Sequence, residues 1–192
     1  MDRKPDQWPQ PASMGVAESS DLLVITYRWN KFTGYVMLFF GVTLALAFCL
    51  ILFVRTDADD GLGLLGILLF LAFIVFLLYT GLAYVLNATT ITIGFEELTI
   101  KHPPIPIPWV NSLTISRGDI KQLYTRQNVM VSTAEERKSV SYSYSVNAVV
   151  QGQKDIALIK VLNTVEEAKF VEQKIEQHLK IKNQKMPGEY RG

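Results

Sequence analysis

Two long uncharged runs constrain this chain more than any other feature of its sequence. They cover residues 32–54 and 62–86, and the charged segment 55–61 separates them. Each run has about 23–25 residues, which as a helix rising ~1.5 Å per residue would cross the ~30 Å hydrocarbon core of a bilayer. Because lipid offers the backbone no hydrogen bonds, such runs must be helical. The sequence therefore predicts a transmembrane hairpin over residues 32–86.

The connecting segment is long enough only to reverse the chain, so the two helices are expected to run antiparallel. Small side chains would let their backbones approach closely. The candidates for this close approach are Gly41 and Ala45 on the first helix and Gly63, Gly66 and Gly81 on the second.

The charges around the hairpin predict its orientation. Arg28 and Lys31 precede the first helix, and the chain after the second helix is rich in Lys and Arg. Basic flanks stay on the cytoplasmic side of a membrane. We therefore expect a multi-pass protein of the bacterial inner (cytoplasmic) membrane, with both termini in the cytoplasm and the acidic tip outside.

Composition and spacing argue against several functions. The net charge of +1 gives no argument for a nucleic-acid partner. His102 and His178 are the only histidines and lack metal-ligand spacing, so no metal site and no cofactor are expected. The serines over residues 139–145 have no base nearby in the sequence. We therefore expect a protein that is not an enzyme.

The segments before the hairpin differ from each other. Residues 1–20 are polar and contain three prolines, which predicts a disordered tail. Residues 21–31 form a pre-membrane segment, and the β-branched content of residues 21–28 favours a strand. An interfacial extension of the first helix is the alternative, and the sequence leaves open whether this strand joins a later sheet.

Residues 87–182 are predicted to form one domain of antiparallel strands closed by a helix. Alternating apolar residues predict strands over 90–93, 98–101, 109–116, 120–127, 139–150 and 156–162, with a polar loop over 129–138. A helix follows, capped by Asn163 or Thr164 and ending near Lys180. Its apolar stripe is Ala168, Val171, Ile175 and Leu179, with Glu and Lys covering the other face. Residues 183–192 are expected to be a loose tail.

This pattern is mainly antiparallel β within an α+β class, and it is the pattern of a pleckstrin-homology-like (PH-like) domain. Three stretches, residues 87–93, 98–104 and 115–124, resemble a group of bacterial inner-membrane proteins of unassigned function. That group combines a two-helix hairpin with a bacterial PH-like domain, and the similarity covers roughly residues 21–189. The resemblance implies the fold and the membrane location, and it implies no activity.

Two surfaces are candidate binding sites. The Pro-rich crossover over residues 102–108, followed by a tryptophan, is either a stiff loop or a preformed docking surface for a partner. Its candidate residues are Pro104, Pro106, Pro108 and Trp109. Arg117, Lys121 and Arg126 are either scattered surface cations or a basic patch for anionic lipid headgroups.

The expected function is therefore binding. We predict that the cytoplasmic domain binds a protein partner, another membrane protein, in an adaptor or assembly role. Sensing of anionic lipid is the alternative function. The lipid bilayer is the other expected partner, and the sequence leaves self-association open.

Overall fold

The structure is a computed structural model, and it describes residues 8–54, 61–108, 110–134, 137–153, 155–182, 184 and 186–190. The chain divides into two units. The hairpin unit comprises Arg28–Thr89 and His102–Asn111. The sheet unit comprises Met1–Tyr27, Thr90–Lys101 and Ser112–Gly192.

The hairpin unit is built on two long apolar helices, α1 (Lys31–Val54) and α2 (Gly61–Leu86). They run antiparallel, because Gly34 of α1 lies against Val85 near the end of α2, whereas the Phe48 ring contacts the Phe70 ring in a tilted arrangement with centroids 5.4 Å apart. Both helices are long and apolar enough to cross a membrane.

Glycines allow the two helices to touch backbone to backbone near one end of the pair. A Cβ atom on Gly34 would lie 2.7 Å from Cγ2 of Val85 and 2.8 Å from the carbonyl oxygen of Gly81. Such separations are shorter than any ordinary van der Waals contact, so only glycine fits at this crossing. The sequence pattern had not singled out Gly34.

The glycines that were expected to pack behave differently from one another. At Gly41 a Cβ atom would lie 2.8 Å from Leu78, and at Gly81 it would lie 3.0 Å from the backbone nitrogen of Leu38, so close packing is confirmed at both. At Gly66 the expectation was wrong, because nothing lies within 4 Å of an added Cβ atom. Gly63 lies outside the residues whose side-chain surroundings the structure describes.

We predict that Gly34→Ala weakens the hairpin and that Gly66→Ala does not. The added methyl at position 34 would force the helices apart, at a cost of about 1–3 kcal/mol. At position 66 the methyl has open space, and helix propensity favours Ala over Gly by roughly 1 kcal/mol. Thermal unfolding of the full chain in mild detergent, followed by circular dichroism at helical wavelengths, measures both. Equal midpoints for the two variants would contradict the close approach.

The sheet unit contains two antiparallel sheets and one C-terminal helix. The first sheet has the order β1 (Met14–Glu18), β2 (Leu23–Arg28), β3 (Ala88–Ile93), β4 (Glu97–Lys101) and β5 (Leu113–Ser116). The second has the order β6 (Ile120–Ala134), β7 (Arg137–Val150) and β8 (Ile156–Leu162). Helix α3 (Val165–Leu179) packs on the second sheet.

Alternation along the strands builds the core of the sheet unit. Every second residue of β2, β3 and β4 is buried, as expected for strands with one face in a core. The side chains that lie almost wholly inside include Leu23, Ile25, Ile91, Ile93, Leu98, Ile100, Leu123, Val146, Leu162, Val171 and Ile175. Each large apolar side chain buried in this way contributes about 1.5–3 kcal/mol.

The first segment of the chain differs from the expected disordered tail of residues 1–20. Residues 14–18 form β1, which pairs antiparallel with β2 from Met14 opposite Tyr27 to Glu18 opposite Leu23. Just before β1, the Ser13 hydroxyl donates to a Glu167 carboxylate oxygen on α3 at 2.5 Å. Polarity misled the prediction, because the order of this segment comes from its pairing with β2 and from a contact with α3. Residues 1–7 lie outside the described residues.

The pre-membrane segment is a strand, so the helical alternative for residues 21–28 is wrong. Residues 23–28 form β2, which lies between β1 and β3 in the first sheet. The strand thus joins the sheet, a question that the sequence had left open.

The predicted loop over residues 129–138 is also wrong over its described part. Strand β6 continues to Ala134 and β7 begins at Arg137, and the two pair in register from Gln122 opposite Val149 to Ala134 opposite Arg137. These residues extend the pairing of β6 with β7 beyond the part of β7 that β8 pairs with, so the ribbon has two strands here.

Two further predictions for the sheet unit differ from the structure, one on the start of a strand and one on the C-terminal tail. Strand β5 begins at Leu113, four residues later than the predicted strand. The expected loose tail is held over its described residues, because the backbone N–H of Tyr190 donates to the carbonyl of Thr125 at 2.8 Å. Glu189 also forms an ion pair with Lys169 at 2.8 Å.

Candidate functional site

The Pro-rich loop, residues 102–108, is anchored at the end of α2 by one asparagine. The Nδ2 group of Asn87 donates to the carbonyl of Ile105 at 2.7 Å, and the N–H of Ile105 donates to Oδ1 of Asn87 at 2.8 Å. The Asn87 amide thus forms two hydrogen bonds with the Ile105 peptide groups, as a residue of a neighbouring strand would. Asn87 is only 3% exposed, so its own polar atoms depend on this pairing.

Further hydrogen bonds hold the rest of the loop. The Tyr79 hydroxyl of α2 donates to the carbonyl of Pro106, and the N–H of Ala88 donates to the carbonyl of Pro103 at 3.0 Å. Ile107 is buried. Pro104, Pro106 and Pro108 are exposed, and Trp109 lies outside the described residues. The prediction that these four residues bind a partner stays a prediction.

His102 begins the loop in an enclosed polar and aromatic environment. Its Nδ1 lies 3.0 Å from the Thr89 hydroxyl, which also accepts the indole N–H of Trp29 at 2.8 Å. The Trp29 and His102 rings have centroids 5.8 Å apart. Burial lowers the pKa of His102, so its imidazole is neutral at neutral pH.

The three predicted basic residues do not form one cluster. The Arg117 guanidinium donates to the carbonyls of His178, at 3.3 Å, and Gly94, at 3.5 Å, and thus helps to cap the end of α3. Lys121 and Arg126 are exposed on β6 and are five residues apart, about 16 Å along an extended strand. Recognition of lipid by these three residues stays a prediction with less support.

The sequence analysis missed an exposed apolar surface of the sheet unit. We call it the β6–β7 arm, residues 128–134 and 137–143, because β8 pairs only with residues 144–148 of β7. In the arm Val129 lies opposite Tyr142 and Val131 lies opposite Val140, which places all four on one face. Each of these side chains is 48–58% exposed.

The sequence analysis also missed a set of buried carboxylates that belong to α3. Glu167, Glu172 and Glu176 are each less than a tenth exposed, although Glu was expected on the outer face. Glu167 completes a cap with Thr164: its N–H donates to the Thr164 hydroxyl at 3.2 Å, and its Oε2 accepts the N–H of Asn163 at 3.0 Å.

The other two buried carboxylates belong to a charged cluster. The Lys169 ammonium contacts Glu172 at 3.1 Å and Glu189 at 2.8 Å. Glu176 accepts a hydrogen bond from Nε2 of Gln122 at 2.8 Å. Burial, and next the charge of Glu172, raise the pKa of Glu176 from 4.5 to about 7. The contacts of Lys169 fix the C-terminal segment on α3, and the raised pKa favours the protonated form of Glu176.

The sequence carried a weak signal for these carboxylates. Thr164 and Glu167 have the spacing of a capping box, and Glu172 and Glu176 follow the apolar residues Val171 and Ile175 directly. They therefore widen the apolar stripe on its own face. Their partners Gln122 and Glu189 are far away in the sequence, and the helical period says nothing about them.

Within the part of the chain that the structure describes, no group of three or more His, Cys, Asp or Glu side chains is arranged to hold a metal ion. No protein-family model matches the chain, and no curated protein matches it. The functional conclusion therefore depends on the exposed surfaces and on the chemistry of the residues that form them.

The pKa of Glu176 leads to a prediction about pH. Between pH 4.5 and 7 the folded protein keeps a proton that the unfolded chain releases, so this group's contribution to stability falls as pH rises through that window. The free energy of unfolding of Glu176→Gln, relative to that of the natural protein, should therefore rise by about 2 kcal/mol from pH 5 to pH 8. Thermal unfolding of the full chain in detergent at both pH values measures this difference.

Glu166→Gln is the matched control, because Glu166 is an exposed carboxylate on the same helix. Its stability relative to the natural protein should be the same at both pH values. If the stability difference between Glu176→Gln and the natural protein is also the same at pH 5 and pH 8, Glu176 is charged over that whole range and the prediction is wrong.

Proposed function

We propose that this chain is an integral membrane protein whose sheet unit binds a protein partner in an adaptor or assembly role. The hairpin unit supports the membrane part of the proposal. Only 11% and 17% of the most apolar stretches of α1 and α2 are buried inside the protein. A soluble protein does not leave two such helices in contact with water, whereas a bilayer covers them at no cost.

The finer parts of the proposal rest on sequence and topology. Two antiparallel sheets closed by one C-terminal helix support a PH-like domain, although the first sheet carries β1 as an additional edge strand. Arg28 and Lys31 flank α1 and support a cytoplasmic location of both termini in a bacterial inner membrane. PH-like folds bind lipids, peptides and proteins, so the fold itself does not select the partner.

The exposed apolar face of the β6–β7 arm is the observation that best supports binding of a partner. Its apolar face exposes Val129, Val131, Val140 and Tyr142, and β8 pairs with β7 only over residues 144–148, outside the arm. Protein interfaces typically bury exposed aromatic and aliphatic side chains of this kind at their centre. Removing such an apolar face from water on binding lowers the free energy of the complex.

A role in binding also agrees with how the polar residues are used. The buried carboxylates are occupied by Lys169, Gln122, Ser13 and the cap of α3. Arg117 is occupied by two carbonyl groups. These contacts order the fold, so the side chains named here act in holding its elements together.

We expect the double substitution Val129→Ser with Val131→Ser to release the partner. Both side chains are exposed, so the fold should keep its stability to within about 0.5 kcal/mol. Loss of two apolar anchors should weaken binding at least about tenfold. The measurement is purification of the full chain from its native membrane in mild detergent, with quantitative mass spectrometry of stoichiometric companions.

Val161→Ser provides the matched control, because Val161 is 62% exposed and belongs to β8, which pairs only with β7 residues outside the arm. It should retain the partner fully. The proposal fails if the arm variant and the control retain the same companions, or if the natural protein carries only lipid.

A further inference from the structure

We infer that the Pro-rich loop is an interfacial membrane-binding element, whose partner is the headgroup layer of the bilayer. The inference rests on the proposed membrane-spanning hairpin and assigns a lipid contact to a segment outside the two helices.

The first argument is the position of the loop along α2. Tyr79, whose hydroxyl binds the carbonyl of Pro106, precedes the end of α2 at Leu86 by seven residues. Those residues correspond to about 10 Å of helix. Asn87, which binds the adjacent Ile105, directly follows Leu86. The loop is therefore held at the end of the apolar stretch Leu64–Leu86, between Tyr79 within that stretch and Asn87 just after it.

The second argument is that the loop's backbone is suited to a medium with little water. Four of its seven residues are prolines, which carry no N–H group. The N–H of Ile105 is paired with Asn87. The carbonyls of residues 103, 105, 106 and 107 accept from Ala88, Asn87, Tyr79 and Val110. Irregular backbone near lipid requires this kind of internal pairing.

The third argument is the chemistry of the exposed side chains. No charged residue occurs between Lys101 and Arg117, and the exposed rings of Pro104, Pro106 and Pro108 are apolar. Lipid fits this surface better than a protein partner, because the loop's paired backbone has few hydrogen bonds to offer to an incoming chain. The bilayer requires only apolar contact and shape.

The test measures the depth of the loop in the full chain, reconstituted in vesicles of phosphatidylethanolamine and phosphatidylglycerol. In a Cys49→Ala background, a nitroxide is attached at Pro106→Cys and, in a second variant, at Pro108→Cys. Phe73→Cys, at the centre of α2, is the hydrocarbon reference, and Gln151→Cys, on an exposed turn of the sheet unit, is the water reference. Relaxation by oxygen and by a water-soluble nickel chelate gives each depth.

We expect both loop labels to lie between the two references, about 5–10 Å inside the headgroup level. Adding Tyr79→Phe should shift the label at position 106 towards water, because the hydroxyl that holds Pro106 is gone. Loop labels as open to the nickel chelate as position 151, with position 73 in hydrocarbon, would overturn the inference and leave the hairpin intact. Labels shielded from both reagents would show a protein covering the loop and would also overturn it. Nickel access at position 73 would refute the membrane hairpin itself.

Discussion

The pairing between the Asn87 amide and the Ile105 peptide group connects the main parts of the hairpin unit. Asn87 is the single residue between α2 and β3, so its side chain acts at the point where the helical hairpin becomes a strand. By satisfying both polar groups of Ile105, it holds a crossover that four prolines have deprived of most N–H groups. Tyr79 and Ala88 extend the same arrangement to the neighbouring carbonyls.

Local patterns predicted the elements whose stability is local. Uncharged length predicted α1 and α2, alternation predicted β3, β4 and β8, and Thr164 with the apolar stripe predicted α3. The remaining features depend on pairing partners that no local pattern identifies. Residues 14–18 are ordered by β2 and α3, and the buried glutamates are paired by Gln122 and by the C-terminal segment. Of the candidate surfaces, the arm was missed because residues 129–138 were interpreted as a polar loop, whereas their described part is ordered by pairing between β6 and β7.

The two units illustrate different ways of burying polar groups. In the sheet unit the carboxylates of α3 are compensated by one lysine, one glutamine and a proton on Glu176. In the hairpin unit compensation is neutral and comes from an amide, a phenol and backbone N–H groups. Neutral pairing is the arrangement that remains favourable where the dielectric constant is low, since charges there bear a heavy desolvation cost.

The β6–β7 arm has a kinetic consequence. Where β8 ends, the ribbon has only two strands, and a two-stranded ribbon is marginally stable alone. Its amides should exchange with solvent faster than those of the three-stranded part, since local opening there breaks fewer contacts. A partner of the kind proposed would have to supply the ordering free energy of the ribbon, which would lower affinity for a given contact area and shorten the lifetime of the complex. The proposed binding would then suit exchange between partners better than permanent assembly.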